Sequence, residues 1–343
     1  MEVKSGLQNR IRMLHILDLL RRETDEEHPM SATEISKCLE VKGIPCERKA
    51  VYRDIEALTE FGYDILSTRR PKQGVFLASR ELEAPEVRLL LDAVASAPFI
   101  TEKKTRELTE KLCGFLSEAQ GESAAAQIFS NQGEHRIKFE NEEVYYTIDA
   151  LHRAIALQKK VSFQYYHRVI QDGKVQLAPG REFTISPYAL VWNEDKYYLV
   201  GNYDKYDNLS HYRIDRMRHV SVTEEDARSC REVSCYQDQF DSADYRKRSF
   251  FMFGGEEVTV RLSCVESLLE AMVDKFGELR ILEQADGRFV FEATVRCGEG
   301  FLDWILRWGG QAVVLSPQSV REQVAKKIRT LADSYEIPLL GEE

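Results

Sequence analysis

The sequence lacks any long apolar run. None of its 343 residues belongs to an uninterrupted apolar stretch of about 18, the length that spans a bilayer. The opening residues, MEVKSGLQNR, also lack the apolar segment of a signal peptide. Apolar and charged contents of 43% and 30% are those of an ordinary globular protein. We therefore expect a cytoplasmic protein with no membrane partner.

Cysteine is sparse and irregularly spaced. The seven cysteines are an odd number and form no CxxC pair; they lie at positions 38, 46, 113, 230, 235, 264 and 297. Paired thiols at short, regular spacing are what zinc sites and disulfide frameworks require. The pattern predicts free, mostly buried thiols, no metal site and no cofactor.

Local catalytic signatures are missing as well. The seven histidines show no HExxH spacing, and neither GxSxG, nor a Walker loop, nor GxGxxG occurs. Most carboxylates lie in helix-surface or linker runs. These observations favour a protein that is not an enzyme and has no catalytic residues.

The charge is unevenly distributed. The whole chain has a net charge of −10, which argues against a protein that coats nucleic acid with its entire surface. Residues 1–80, however, carry 14 Lys and Arg against 13 Asp and Glu, and these cations are clustered. This asymmetry makes the first 80 residues the natural place to look for a nucleic-acid contact.

Three helices and a hairpin are predicted in those 80 residues. A first amphipathic helix has the apolar row Leu7, Ile11, Leu14, Leu17 and Leu20. A second begins with a capping box formed by Ser31 and Glu34. A third begins near Cys46 or Glu47 and ends before Gly62, where glycine is the expected terminator. The runs YDILST and GVFLA then form two strands around the basic turn RRPKQ.

This order is that of a winged helix-turn-helix, in which the third helix enters the major groove and the hairpin touches the flanking backbone. In the segment ERKAVYRDIEAL, Val51, Ile55 and Leu58 share an apolar face, and cations occupy another. The predicted double-stranded DNA contacts are Arg48, Lys49, Tyr52 and Arg53 on the helix, and Arg69, Arg70 and Lys72 at the wing. A solvated helix with ordinary surface charges is the alternative.

The residues RKAVYRDIEAL followed by FGYDI resemble the N-terminal domain of bacterial WYL-domain transcriptional regulators. Their third helix usually reads close to RTVYRDI, and this chain has Ala50 where threonine is common. The next part of the chain, to about Gln127, has a helical pattern interrupted at Pro98. It suits either linker and dimerisation helices or a simple packing pair.

A β-rich block follows, with turn signals at Asp172-Gly173 and Asn193-Glu194-Asp195. Its short strands predict a small antiparallel barrel or sheet. The segments ISPYALVW, KYYLVGNY and HYRIDRM resemble the three landmark segments of the WYL domain, although the Trp-Tyr-Leu triplet reads Tyr197-Tyr198-Leu199 here. The resemblance implies an Sm-like β-barrel that serves as a sensor of nucleic acid or nucleotides.

Arginines beside aromatic rings suit a nucleotide or single-stranded nucleic acid, through phosphate pairing and base stacking. Along SHYRI, strand alternation places His211 and Arg213 on one face and Tyr212 and Ile214 on the other. The predicted ligand-binding residues are Tyr188, Trp192, Tyr198, His211, Arg213 and Arg216. The alternative is that the aromatic residues form the core and that Asp215 is the anion paired with the arginines.

The C-terminal residues predict the order strand-helix-strand-strand-helix-strand, followed by a last helix, which is a ferredoxin-like arrangement. This part resembles the C-terminal extension that accompanies WYL domains, and the resemblance implies a role in dimer contact and effector capture. Trp304 and Trp308, four residues apart, are interpreted as packing residues.

The sequence thus predicts an α+β multidomain chain. Its expected parts are a winged helix-turn-helix (1–80), a helical linker (81–140), a WYL sensor domain (141–225), a connector (226–255) and a ferredoxin-like extension (256–343). The predicted function is a homodimeric transcription regulator whose WYL ligand modulates operator binding. The alternative is a nucleic-acid-processing enzyme that uses His211, Arg213 and Asp215.

Overall fold

The computed structural model describes residues 2–131, 138, 141–236 and 240–337. The chain forms two compact units, Met1–Glu140 and Asn141–Glu343. Both mix helices with antiparallel strands or sheets. No helix in these described ranges is both long enough and apolar enough to cross a membrane.

The first unit begins with the predicted three helices and hairpin. They are α1 (Glu2–Glu23), α2 (Ala32–Val41), α3 (Arg48–Phe61), β1 (Ile65–Thr68) and β2 (Gly74–Leu77). The capping box of α2 is present, since Ser31 accepts from the Glu34 amide and Glu34 accepts from the Ser31 amide. Gly62 ends α3 with a φ of 115°, a left-handed conformation that favours glycine. These boundaries agree with the capping and turn chemistry.

The predicted apolar row of α1 is wrong in its first half. Leu7 and Leu14 are 59% and 66% exposed, whereas Ile16 and Leu20 are fully buried. The three-helix core, which includes Val51 of α3, contacts only the C-terminal half of α1. The helix therefore extends beyond the core that its apolar pattern was expected to cover.

Residues 82–131 form three helices: α4 (Ala84–Ser96), α5 (Glu102–Cys113) and α6 (Glu118–Asn131). The helical pattern was expected to be interrupted at Pro98, but a second interruption occurs, because α5 ends before Gly114 and α6 begins four residues later. Leu116 in the intervening turn is buried and packs with Val87 and Leu91 of α4. This small core belongs to the same unit as α1 to α3.

The second unit begins with α7 (Val144–Leu157) and a five-stranded antiparallel sheet. Its strands are β3 (Lys159–Gln171), β4 (Lys174–Asn193), β5 (Lys196–Asn202), β6 (Ser210–Arg213) and β7 (Met217–Asp226), in the order β6-β5-β4-β3-β7. The predicted Asp172-Gly173 turn is confirmed, with both residues at positive φ between the paired Gln171 and Lys174.

Strand β4 is longer than the short strands that the sequence predicted, since it continues through Gly180 for 20 residues. The strand can continue because β3 has an irregularity between Gln164 and Tyr166 opposite this point. A Cβ on Gly180 would lie 2.3 Å from the carbonyl oxygen of Tyr165. The glycine therefore permits a close approach of two backbones rather than a chain reversal.

The predicted connector includes the short α-helix α8 (Ser242–Arg248). The C-terminal part then follows the predicted order, with β8 (Glu256–Val265), α9 (Leu269–Phe276), β9 (Ile281–Ala285), β10 (Arg288–Cys297), α10 (Glu299–Leu306), β11 (Ala312–Ser316) and α11 (Gln318–Ser334). The sheet order is β11-β8-β10-β9, with every pairing antiparallel. Trp304 is buried in its core and Trp308 packs against it, as interpreted from their spacing.

Candidate nucleic-acid and ligand sites

Helix α3 has one buried face and one cationic face. Val51 and Leu58 are buried in the three-helix core. The predicted DNA contacts Arg48, Lys49, Tyr52 and Arg53 are all exposed, with Tyr52 at 51%. The four side chains therefore occupy a solvent-facing surface that a polyanion can reach. Ala50 is buried, so position 50 does not belong to that surface.

Asp54 fixes α3 to α1. Its carboxylate accepts two hydrogen bonds from the Arg12 guanidinium, at 2.6 Å from Nε and 3.1 Å from Nη2. Both side chains are mostly buried, and the hydrogen bond with Asp54 raises the pKa of Arg12. Sequence reasoning did not identify this pair. The sequence hinted at this ion pair only through Asp54, a carboxylate next to the cations of α3.

The hairpin turn presents two of its three predicted cations freely to solvent. Arg69 and Arg70 are exposed, and Thr68 Oγ1 donates to the Arg70 carbonyl at 2.7 Å. Lys72 instead donates to Glu34 Oε1 at 2.8 Å. This hydrogen bond, with those from Ser31, lowers the pKa of Glu34 to about 2. Lys72 therefore ties the hairpin to the start of α2.

In the second unit, the predicted ligand residues are divided between the two faces of the sheet. Tyr198 pairs with Arg213, and His211 lies two residues along β6 on the same face. Tyr198 and Tyr188 pack in a cluster with Tyr245 of α8. The connector therefore covers this face: Tyr198 is a buried core residue there, whereas Tyr188 is half-buried against the same cluster.

His211 lies against the connector helix. Its Nε2 atom is 2.6 Å from the Tyr245 hydroxyl. Burial, aided by the positive charge of Arg296, lowers the pKa of His211 to about 4. The imidazole is consequently neutral at physiological pH.

Arg213 has the intramolecular partner that the sequence suggested. Its Nε and Nη2 atoms donate to the two carboxylate oxygens of Asp215, at 3.0 and 2.8 Å. Burial acts to lower the pKa of Arg213, but hydrogen bonding and attraction by Asp215 outweigh it and raise the pKa. Arg216 is half-buried and forms no ion pair within the described ranges. The charge of Arg213 is therefore balanced within the protein by Asp215.

Trp192 belongs to the opposite face, where it pairs with Tyr197 and is 44% exposed. The structure therefore does not bring all six predicted ligand residues into one site. The interior of that face is an aromatic cluster that the sequence did not single out: Phe163, Tyr165, Phe183 and Tyr212. The Tyr165 hydroxyl accepts a hydrogen bond from the Arg213 amide at 3.1 Å. The cluster identifies Tyr212 as a core residue.

Within the described part of the chain, no group of three or more His, Cys, Asp or Glu side chains is arranged to hold a metal ion. His211, Arg213 and Asp215 also do not face a common open space. The imidazole contacts Tyr245, while the Arg213 guanidinium is closed onto Asp215.

Two protein families match parts of this chain. Residues 146–222 match the WYL domain, and residues 255–332 match the WCX domain. The chain thus contains one segment that matches the WYL domain and, after it, one that matches the WCX domain. Neither match extends into the three helices and hairpin at the N-terminus. No curated protein matches the chain.

Two solved structures show distant similarity. Proteasome accessory factor B/C (PafBC) of Arthrobacter aurescens is 18% identical, with a TM-score of 0.28, over 94% of this chain and 48% of that one. The chain thus spans about half the length of that protein. A CRISPR Cas-related protein is 15% identical, with a TM-score of 0.25, over 73% of this chain and 72% of that one. TM-scores this low do not establish that the domains are arranged alike in these proteins.

Proposed function

We propose that this chain is a DNA-binding transcription regulator whose WYL domain senses a nucleotide or single-stranded nucleic acid. The observation that carries the proposal is the exposed face of α3. Arg48, Lys49, Tyr52 and Arg53 face solvent on a helix whose other face is fixed in the three-helix core. A helix held in this way can enter the major groove of DNA without rearrangement.

The hairpin supports the same interpretation. It follows α3 directly and bears the exposed cations Arg69 and Arg70 at its turn. In a winged helix-turn-helix such a hairpin contacts phosphates beside the groove. Lys72 is paired with Glu34, but both side chains are about half exposed, so a phosphate can replace this pair and Lys72 remains a proposed contact of the hairpin.

The WYL match supports the sensor half of the proposal. A ligand changes operator affinity only if it binds the DNA-competent and DNA-incompetent states with different free energies. A homodimer is the form in which one helix per subunit reads one half of an inverted repeat. Both features are part of the proposed mechanism.

A nucleic-acid-processing enzyme is the weaker candidate. It would require His211, Arg213 and Asp215 to act on one substrate. The contacts of His211 with Tyr245 and of Arg213 with Asp215 occupy these groups instead. We therefore propose stoichiometric binding without turnover.

The first test is selection of duplexes from a random pool on the purified chain. An enriched inverted repeat supports a dimeric, sequence-specific regulator. If the pool stays unenriched with and without added mononucleotides and short single strands, the proposal is wrong. Turnover of nucleic acid in the same mixtures would favour the enzyme.

The second test measures duplex affinity against salt concentration for Lys49→Ala with Arg53→Ala. If both cations contact phosphate, the slope of log affinity against log salt falls by about 2, because each phosphate contact contributes about 0.9. The matched control is Lys103→Ala with Arg106→Ala, which removes two exposed cations from α5. An unchanged slope in the α3 variant, or an equal loss in the control, would contradict the assigned interface.

A further inference from the structure

The connector encloses a cavity that none of the predicted site residues except Tyr188 reaches. Its volume is about 390 Å³. The wall consists of the end of α7, the middle of β4 and connector residues 227–231, 236 and 240. Small-molecule sites commonly occupy roughly 300–1,000 Å³, so this volume suits one small ligand and not a strand of several nucleotides.

Hydrogen bonds hold the walls in place. The Arg228 amide donates to Ser186 Oγ, and the Tyr188 hydroxyl donates to the Arg228 carbonyl, each at 2.9 Å. The Ala227 amide donates to the Gln158 carbonyl at 2.8 Å. An irregularity in the pairing of β4 between Pro187 and Ala189 sets the direction of the Tyr188 ring. The cavity is therefore bounded by tethered segments of three different elements.

The lining combines aromatic rings with guanidinium groups. Tyr188, Tyr236 and Phe240 supply the rings, and the centroids of the last two lie 4.9 Å apart. Arg228 and Arg231 supply the cations, and each already makes polar or ring contacts of its own. Arg228 is paired with Asp207 and Glu232, whose side chains are 83% and 57% exposed. Exposed ion pairs of this kind contribute little free energy, so an incoming anion can replace them.

We propose that this cavity binds a small planar aromatic anion, with its ring against the aromatic residues and its anionic group at Arg228 and Arg231. Arginine is suited to this role because its planar fork can form two parallel hydrogen bonds to a phosphate or carboxylate. Two kinds of compound share this chemistry, namely mononucleotides and aromatic carboxylates. A regulatory role for this ligand rests on the proposed function, whereas the binding itself does not.

The test uses the full chain without DNA, so that its outcome is independent of the operator experiments. Isothermal titration calorimetry compares adenosine 5′-monophosphate and 4-hydroxybenzoate with uncharged adenosine. At least one of the two anions is expected to bind in a 1:1 ratio, and adenosine at least tenfold more weakly than its monophosphate if the nucleotide binds. The anion that binds identifies the source. Binding of neither anion, or equal binding of adenosine and its monophosphate, would overturn the proposal.

The location is tested by variants and by thiol protection. Arg231→Ala removes an exposed cavity arginine and is expected to weaken binding about tenfold, whereas Arg168→Ala, an exposed arginine of β3, leaves it unchanged. The bound anion should slow alkylation of Cys230, which lines the cavity, several-fold and leave the exposed Cys235 unaffected. Binding that leaves Cys230 unprotected and is insensitive to Arg231→Ala would place the ligand elsewhere and refute the proposal.

Discussion

Acidification should destabilise the second unit through His211. The imidazole is closed in by Tyr245, and its pKa is lowered from 6.5 to about 4 by burial and, secondarily, by Arg296. The unfolded chain takes up a proton near pH 6.5, whereas the folded chain resists it until about pH 4. The unfolded state therefore binds more protons between these values, and the free energy of unfolding falls as pH falls through this window.

The size of the effect follows from the shift. One unit of pKa corresponds to about 1.4 kcal/mol, so a drop from 6.5 to about 4 gives roughly 3 kcal/mol once both states are protonated. Between pH 7 and pH 5 the expected loss is roughly 2 kcal/mol. This loss is a substantial fraction of the free energy of unfolding of an ordinary domain, which is about 5–15 kcal/mol.

Urea unfolding followed by tryptophan fluorescence measures this loss selectively. The three tryptophans, Trp192, Trp304 and Trp308, all lie in the second unit. His211→Gln should remove most of the difference between pH 7 and pH 5, whereas His152→Gln, an exposed position on α7, should retain it. An equal pH dependence in the wild type and in His211→Gln would show that the imidazole does not resist protonation in the folded chain.

Three further changes test other contacts. Asp54→Asn leaves Arg12 without its carboxylate and should cost about 2 kcal/mol, seen as faster amide exchange in α3, while substitution of an exposed carboxylate should have no such effect. Gly180→Ala should lower the free energy of unfolding by roughly 1–3 kcal/mol, because its Cβ would meet the Tyr165 carbonyl at 2.3 Å. Urea unfolding followed by tryptophan fluorescence measures this loss, and an unchanged midpoint would refute the close approach. Glu34 stays ionised in the folded chain down to about pH 2, whereas the opened chain takes up its proton near pH 4.5. Protection against amide exchange at the start of α2 should therefore fall as pH drops through this window, and Glu34→Gln should remove this part of the pH dependence of protection.

The parts of the fold that were predictable depend on chemistry between near neighbours. The Ser31–Glu34 capping box needs only residues three apart, and Gly62 ends α3 through its own backbone freedom. The turn at Asp172-Gly173 likewise follows from two residues that accept positive φ. The order of strands and helices in the C-terminal part was predictable because the spacing of apolar residues within each segment is typical of a strand or of a helix.

What escaped prediction depends on contacts between distant parts of the chain. The exposure of Leu14 reflects how far the three-helix core extends along α1, which periodicity does not encode. The continuity of β4 through Gly180 depends on the opposing irregularity in β3. The covering of Tyr198 and His211 depends on Tyr245, 34 residues beyond His211, in a segment whose mixed charge predicted only a connector.

Contacts of Tyr245 in that connector reach both matched segments. Tyr245 of α8 lies 2.6 Å from His211 on β6, and its ring is 4.5 Å from the Arg296 guanidinium on β10. Arg296 in turn donates to Glu257 of β8 at 2.8 Å. The cavity proposed above has Tyr236 in its wall, and this ring packs against Tyr245 with centroids 6.3 Å apart. If the proposed ligand displaces Tyr236, it acts on a neighbour of Tyr245, the residue that contacts both sheets.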